Sequence, residues 1–248
     1  MCGRYVTPTE AAMERAMDLR GRDIGRELGR IFANYDTRPT QSVPAIRQHG
    51  DTREVVRLDD SGDRELVSLR WGLVPRWAKG KAGAYATFNA RIETLRTSPA
   101  FRDAWKRGQR CLLPVAGFYE WQAQPPDWQK VVQHYITCTD QPEVFAMAGL
   151  WDSSTTEDGE VVESCTVITM PANALMREIH NSKRAGSKRV LLPEADRRMP
   201  AILAAADQEA WLRGTADEAW AVLKPYPAEL MRAVGVKPSK ADRPPELL

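Results

Sequence analysis

The chain has 248 residues, 43% of them hydrophobic and 27% charged, with a formal net charge of +2. This is the balance of an ordinary water-soluble globular protein with room for one substantial core, and it excludes dependence on disulfide staples. No apolar run is long enough to span a bilayer, and Glu10, Glu14 and Arg15 interrupt what would be the apolar part of a signal peptide, so a cytoplasmic protein with no membrane segment is expected.

Taken in order, Gly3 to Val6 reads as an opening strand. Thr7-Pro8-Thr9-Glu10 then starts a helix, with Thr7 as cap and Pro8 at the first helical position, running to about Leu19 or beyond. Asn34 to Gln41 is a loop, followed by short strands near Val43 to Arg47 and Glu54 to Leu58. The turn-forming run Asp59 to Asp63 leads into a returning strand, Glu65 to Leu73. Trp71 to Thr87, rich in Gly, Pro, Lys and Trp, reads as a shaped loop. Ser98-Pro99 opens a second helix that closes at Gly108. Arg110 to Trp121 is one apolar strand, Gln124 to Asp127 a turn, and His134 to Thr139, Val144 to Trp151 and Ser164 to Met170 are further strands. The last two are separated by a polar loop, Asp152 to Glu160.

Ala172, Leu175, Met176 and Ile179 recur at helical spacing and give a short amphipathic helix ending at His180. A basic stretch from Ser182 to Arg198 follows, then helices starting at Asp207 and Thr215, the latter with Glu218 in capping-box position. Strands and helices are interspersed without regular βαβ alternation. The expected fold is therefore α+β, a single compact domain over residues 1–236 with a mainly antiparallel core and a flexible tail over 237–248.

Cys2, Cys111, Cys138 and Cys165 are widely spread, with no pair at zinc-ligand spacing, so reduced thiols and no metal are expected. Cys2 stands apart. Removal of Met1 would leave an α-amine and a thiol on one carbon skeleton, groups that titrate near ~7.7–8.0 and ~8.5. Arg4 would push that thiol towards thiolate. With an aldehyde such a 1,2-aminothiol closes to a thiazolidine, because the second nucleophile is already in place. The plainer reading, a buried residue of the first strand, stays open.

Glu120 lies among Phe118, Tyr119 and Trp121 on a strand. If its face is inward, desolvation would make it a proton donor at neutral pH; if outward, it is an exposed carboxylate. His180 falls at a helix end, where the macrodipole favours the protonated ring, suiting either a general acid or a simple terminal residue. Asn89 and Arg91 share one face of an extended segment and suit a phosphodiester, or else a structural hydrogen-bonded pair. Trp71, Trp77 and Tyr85 interleave with Arg70, Arg76 and Lys79, as a stacking platform for unpaired bases does, although tryptophans are also ordinary core residues. His49 and His134 stand where nothing demands chemistry.

In this order, Met1-Cys2-Gly3-Arg4-Tyr5, Arg70-Trp71-Gly72-Leu73-Val74-Pro75, Phe88-Asn89-Ala90-Arg91-Ile92-Glu93-Thr94, Arg110 to Pro114, Phe118-Tyr119-Glu120-Trp121, Ile179-His180-Asn181 and Arg198-Met199-Pro200-Ala201-Ile202-Leu203 resemble the SRAP proteins (SOS response-associated peptidase; abasic-site processing). The match runs over about residues 2 to 215. The resemblance implies a barrel-like β core flanked by helices, with a basic DNA channel. It also implies a monomer without cofactor that takes single-stranded DNA containing abasic sites.

Cys2 would crosslink to the opened sugar as a thiazolidine and shield the lesion during DNA repair, with lyase and Met1-removing activities alongside. Glu120 and His180 would transfer protons and Asn89 would position the site. Arg4 and Arg91 would contact phosphates, and Trp71, Arg76 and Trp77 would line the DNA path. An N-terminal-nucleophile peptidase or amidohydrolase and a non-enzymatic single-strand binding module are the alternative readings. Three departures stand out, one being that the portion after about residue 215 does not match the pattern well. Asp36 occupies the place of the family's Asn in Tyr35-Asp36-Thr37-Arg38-Pro39, and the basic stretch after His180 expands a spacing that is usually short.

Overall fold

In the computed structural model the described residues are 2–17, 31–48, 56–57, 64–81 and 86–237. Tyr85, His49, the Asp59 to Asp63 turn and tail residues 238–248 lie outside them. The strands, in chain order, are β1 (Tyr5–Val6), β2 (Ser42–Gln48), β3 (Val56–Arg57), β4 (Arg64–Trp71), β5 (Asn89–Arg91), β6 (Arg110–Val115), β7 (Gly117–Ala123), β8 (Val131–Cys138), β9 (Phe145–Thr155), β10 (Val161–Pro171), β11 (Ser182–Ala185), β12 (Lys188–Leu191), β13 (Arg198–Pro200), β14 (Ile202–Leu203) and β15 (Met231–Val236). The helices are α1 (Glu10–Met17), α2 (Arg102–Lys106), α3 (Ala174–Ile179), α4 (Gln208–Arg213) and α5 (Ala216–Ala221).

Five strands close on themselves. β10 pairs with β4, β4 with β2, β2 with β6, β6 with β9, and β9 returns to β10. Four of these pairings are antiparallel and β10–β4 is parallel. An odd ring cannot alternate direction all the way round, so one parallel seam is required. Closure removes the exposed edges that an open sheet of these apolar strands would carry. The interior is tight: a Cβ on Gly149 would stand 2.8 Å from the Thr166 carbonyl oxygen and 2.9 Å from the Cys111 sulfur. This is the α+β, barrel-cored single domain that the sequence implied.

The second sheet, β1-β7-β8-β15, is antiparallel throughout. The long apolar segment beginning at Arg110 is therefore two strands, not one. It leaves the barrel after Val115, turns at Ala116 and enters the second sheet at Gly117. Gly117 permits that passage, since a Cβ there would meet the Tyr135 ring at 2.2 Å.

Three local expectations shift. Helix α1 is capped by Thr9, whose hydroxyl accepts from Ala12 N–H at 3.2 Å, while the Thr7 hydroxyl accepts from Asn34 N–H at 2.9 Å and ties the opening segment to the 34–37 loop. The Asp152 to Glu160 loop is shorter than expected, because β9 and β10 stay paired out to Thr155 and Val161 and only 156–160 turn. The basic stretch after His180 contains a hairpin, β11–β12. The α5 capping box forms as the sequence indicates, with Thr215 and Glu218 bonding reciprocally. All four cysteines are buried free thiols. Among the described residues no helix is long and apolar enough to cross a membrane.

Candidate active site at the amino terminus

The site forms where the two sheets meet. Tyr5 pairs with Phe118, and Tyr119 N–H donates to the Arg4 carbonyl at 2.9 Å. Continued two residues, this antiparallel register sets Gly3 against Glu120. On the other edge, Tyr5 and Thr37 exchange backbone bonds of 3.1 and 2.9 Å. Held on both sides, the opening segment delivers Cys2 into the interior, where it is 2% exposed. Asn89 reaches it from β5, its Nδ2 donating to the Cys2 carbonyl at 2.7 Å. The Oδ1 of Asn89 is buried and receives no hydrogen bond among the described residues.

Glu120 is buried on β7, and its Oε1 accepts the Trp121 N–H at 3.2 Å. His180 is buried at the C-terminal end of α3, with Asn173 capping the other end by accepting from Met176 N–H at 2.9 Å. Nδ1 of His180 accepts the Arg198 N–H at 2.9 Å, which puts the proton of the neutral ring on Nε2. The long spacing between His180 and Arg198 does not displace the histidine. Leu192 N–H donates to the Asn181 carbonyl at 2.8 Å, so the hairpin leaves and rejoins the site at one point.

Electrostatics ties Cys2, Glu120 and His180 together, because the Glu120 charge acts on both of the others. Burial, reinforced by Glu120, pushes the Cys2 thiol up to about 12. Burial also pulls His180 down to about 4 against the opposing pull of Glu120, with Arg198 and Arg197 adding to the depression. Two sequence expectations are thereby corrected. Cys2 rests as a thiol, not a thiolate, because desolvation outweighs any cation nearby. His180 rests neutral, because burial outweighs the dipole of a six-residue helix.

Arg4 is itself occupied. Its guanidinium pairs with Asp36 and lies 5.1 Å from the Tyr119 ring centre. Asp36 also takes Arg38, at 2.8 and 2.9 Å. Burial opposes ionisation of Asp36, but the hydrogen bonds from Arg38 and Arg4 prevail and hold its carboxyl below the usual range.

Of the residues expected to face DNA, Trp71 is placed elsewhere. It is fully buried, packs against Tyr5 at 4.8 Å between ring centres, and donates its indole N–H to the Phe88 carbonyl at 2.8 Å. No face of that ring is left for a base. Trp77 is 59% exposed, braced by its indole N–H on the Pro99 carbonyl at 3.1 Å, and Arg76 and Arg91 are also exposed.

Two contributors escaped the sequence reading. Arg198 orients His180 through its backbone, while Glu93 and the Thr169 carbonyl hold its guanidinium at 2.8 and 2.7 Å. His134 pairs directly opposite Glu120 across β7 and β8, with Nε2 3.1 Å from the Gln122 side-chain oxygen. The first was signalled by the Arg-Met-Pro run; the second depends on a strand register that sequence does not give. Among the described residues no group of three His, Cys, Asp or Glu side chains is placed to hold a metal ion.

The chain as a whole is similar to other proteins. The chain is 30% identical over 254 residues to the abasic site processing protein YoqW of Bacillus subtilis, covering 100% of this chain and 99% of that one. It is 28% identical over 239 residues to the abasic site processing protein HMCES of Gallus gallus, covering 86% of this chain and 65% of the longer relative. Crystal structures from Bacteroides thetaiotaomicron (TM-score 0.75, 24% identity, 98% and 97% of the two chains) and Bordetella bronchiseptica (TM-score 0.67, 27% identity, 95% and 100%) share the fold. The family model described as SOS response associated peptidase (SRAP) matches residues 1–240, further along the chain than the motifs alone indicate. By fold, by the residues gathered around Cys2 and by that match, the chain belongs to the SRAP family.

Proposed function

We propose that the protein captures abasic sites in single-stranded DNA as a covalent thiazolidine through Cys2, after removal of Met1. The observation that carries this reading is that Cys2 and His180 are both buried and both feel the charge of the buried Glu120, with Asn89 bonded to the Cys2 carbonyl. The names of the relatives supply the substrate class.

The resting ionisation states set the order of steps. The thiol is protonated, so the freed α-amine, with an ordinary pKa near ~8, attacks first. It adds to the C1′ aldehyde of the opened sugar and loses water to give an imine, with the neutral His180 Nε2–H as the donor that assists departure of the hydroxyl. The thiol then adds to the imine carbon and closes the five-membered ring. Its proton passes to the nitrogen by way of the Glu120 carboxylate. No electrons change hands overall, and one water is released. Asn89 holds the Cys2 carbonyl and offers its bare Oδ1 to the amine. Before ring closure the imine also permits β-elimination, which gives a weak strand-cleaving side reaction; after closure the lesion is shielded.

Incubation with abasic single-stranded DNA, followed by denaturing gel and intact mass, tests this. A heat-stable adduct is expected, of mass equal to the Met1-free protein plus DNA less one water. Equal adduct yield from Cys2→Ala overturns it. The family description includes the word peptidase, and for this chain we read that as Met1 removal. Glu120→Ala is then expected to emerge from expression one methionine heavier than the wild type.

A further inference from the structure

The hairpin β11–β12 grows directly out of the candidate site. Ser182 to Ala185 and Lys188 to Leu191 pair antiparallel across a two-residue Gly186-Ser187 turn, with Gly186 at φ +63°, the left-handed conformation such turns require. An isolated two-stranded hairpin is marginal in water. This one is anchored twice. The Gln129 side chain bonds both backbone groups of Arg189, at 2.9 and 3.1 Å, and the buried Leu192 donates to Asn181.

Its charges have no internal reason. The hairpin carries Lys183, Arg184, Lys188 and Arg189 and no acidic residue, and the register sets Arg184 directly opposite Arg189. Like charges facing across a strand pair cost stability. Lys183, Arg184 and Lys188 are exposed, and no carboxylate pairs with them among the described residues. A cleft of about 350 Å³ lies between the hairpin and the end of β7, lined among others by Gln122, Trp128, Glu178, Asn181, Leu191 and Arg197. Glu178 and Arg197 both line the cleft, so it has no cationic surplus, whereas the outward face of the hairpin has three cations unpaired among the described residues and is the place for an anionic partner.

We propose that this hairpin is a second nucleic-acid contact, which takes the phosphodiester backbone of the strand flanking the captured lesion. The inference rests on the DNA reading above and extends it. It makes the hairpin a clamp that lengthens the footprint and takes no part in the covalent chemistry. Three exposed cations that neutralise three phosphates release the strand's condensed counterions and steepen the salt dependence of binding, at about 0.7 per phosphate for a single strand.

The test is equilibrium binding of the full-length protein to undamaged oligonucleotides of about 4 to 16 nucleotides, over a salt titration, for wild type and the Lys183→Ala/Arg184→Ala/Lys188→Ala variant. On the longest oligonucleotide the variant is expected to lose about 2 from the slope of log K against log salt; on the shortest, the two proteins should coincide. A charge-preserving Lys183→Arg/Arg184→Lys/Lys188→Arg variant should restore the wild-type slope, which separates lost charge from lost folding. Identical slopes for wild type and alanine variant at every length overturn the proposal. Adduct yield on saturating abasic DNA is measured in parallel. Failure of wild type to form adduct defeats the crosslinking reading and leaves the hairpin to be judged by the slope alone.

Discussion

The backbone N–H of Arg198 donates to Nδ1 of His180 at 2.9 Å, and this one bond fixes which proton the ring can use. The ring is presented to the site as a neutral Nε2–H donor, with its other nitrogen already committed. Glu93 matters through the same connection, since it holds the Arg198 side chain and hence the strand that bears the donor.

A measurable pH dependence follows. The folded protein holds His180 near 4, against 6.5 for an unperturbed ring. On acidification the unfolded chain therefore takes up this proton first. Stability from the neutral buried ring is full above about pH 6.5, falls between there and about 4, and levels off below. The whole effect is about 3 kcal/mol. Urea unfolding at pH 7 and pH 5 should show a smaller loss of stability in His180→Asn than in wild type; equal losses would mean that the ring is not held neutral. The same variant should slow adduct formation at pH 7.

The two nucleophiles of Cys2 separate in Cys2→Ala. The variant retains a small second residue, and so an α-amine after Met1 removal, but has no sulfur to close the ring. It should still form the imine, so the heat-stable adduct disappears while strand nicking of abasic DNA persists or rises. Borohydride trapping of the imine, run beside a denaturing gel, checks both halves. Absence of both trapped imine and nicking would show that the amine is not the first nucleophile.

The resemblance implies a neutral Asn at position 36; the Asp36 found there pairs with two guanidiniums, Arg4 and Arg38. Asp36→Asn should leave Arg4 and Arg38 in place and free their charge for phosphate. Binding to undamaged single-stranded DNA is expected to tighten several-fold at low salt, with a steeper salt slope by about 0.7 to 1.4, one or two phosphates' worth. Fluorescence anisotropy over a salt series reads this directly. Unchanged affinity would place the Arg4–Asp36 pair off the DNA path.

Much of this was legible in the residues, and what was not has a common cause. The helix at Ala174 and the capping box at Thr215 follow from spacing that is local in sequence, and both form as read. Cys2, Glu120, His180 and Asn89 were named by residue type and order, and the fold brings them together. The errors lie where burial decides. Trp71 among cations looks like a stacking surface until the chain folds it against Tyr5, and the ionisation of Cys2 and His180 is set by desolvation that no neighbouring residue in sequence reveals. The barrel came from the resemblance and not from the strand pattern, since the parallel β10–β4 seam joins segments about 90 residues apart, such as Arg70 and Ser164.

The barrel has its own buried charge cluster, and a stability prediction rests on it. Arg47 of β2 is fully buried, pairs with the fully buried Glu65 at 2.5 Å and with Glu163 at 2.7 Å, and lies 4.0 Å from the Trp151 ring centre. Taking two charges out of water costs about as much as their attraction returns, so the pair contributes little net stability. Breaking it is different. Arg47→Met takes from the buried Glu65 the guanidinium it pairs with and should cost about 3–5 kcal/mol. Arg47→Met/Glu65→Leu removes both charges and should recover most of that loss, because the half-exposed end of the cluster, Glu163, can turn to water. Urea unfolding of the three proteins decides it. If the double variant is no more stable than the single one, lost packing over Trp151, not the stranded carboxylate, accounts for the cost.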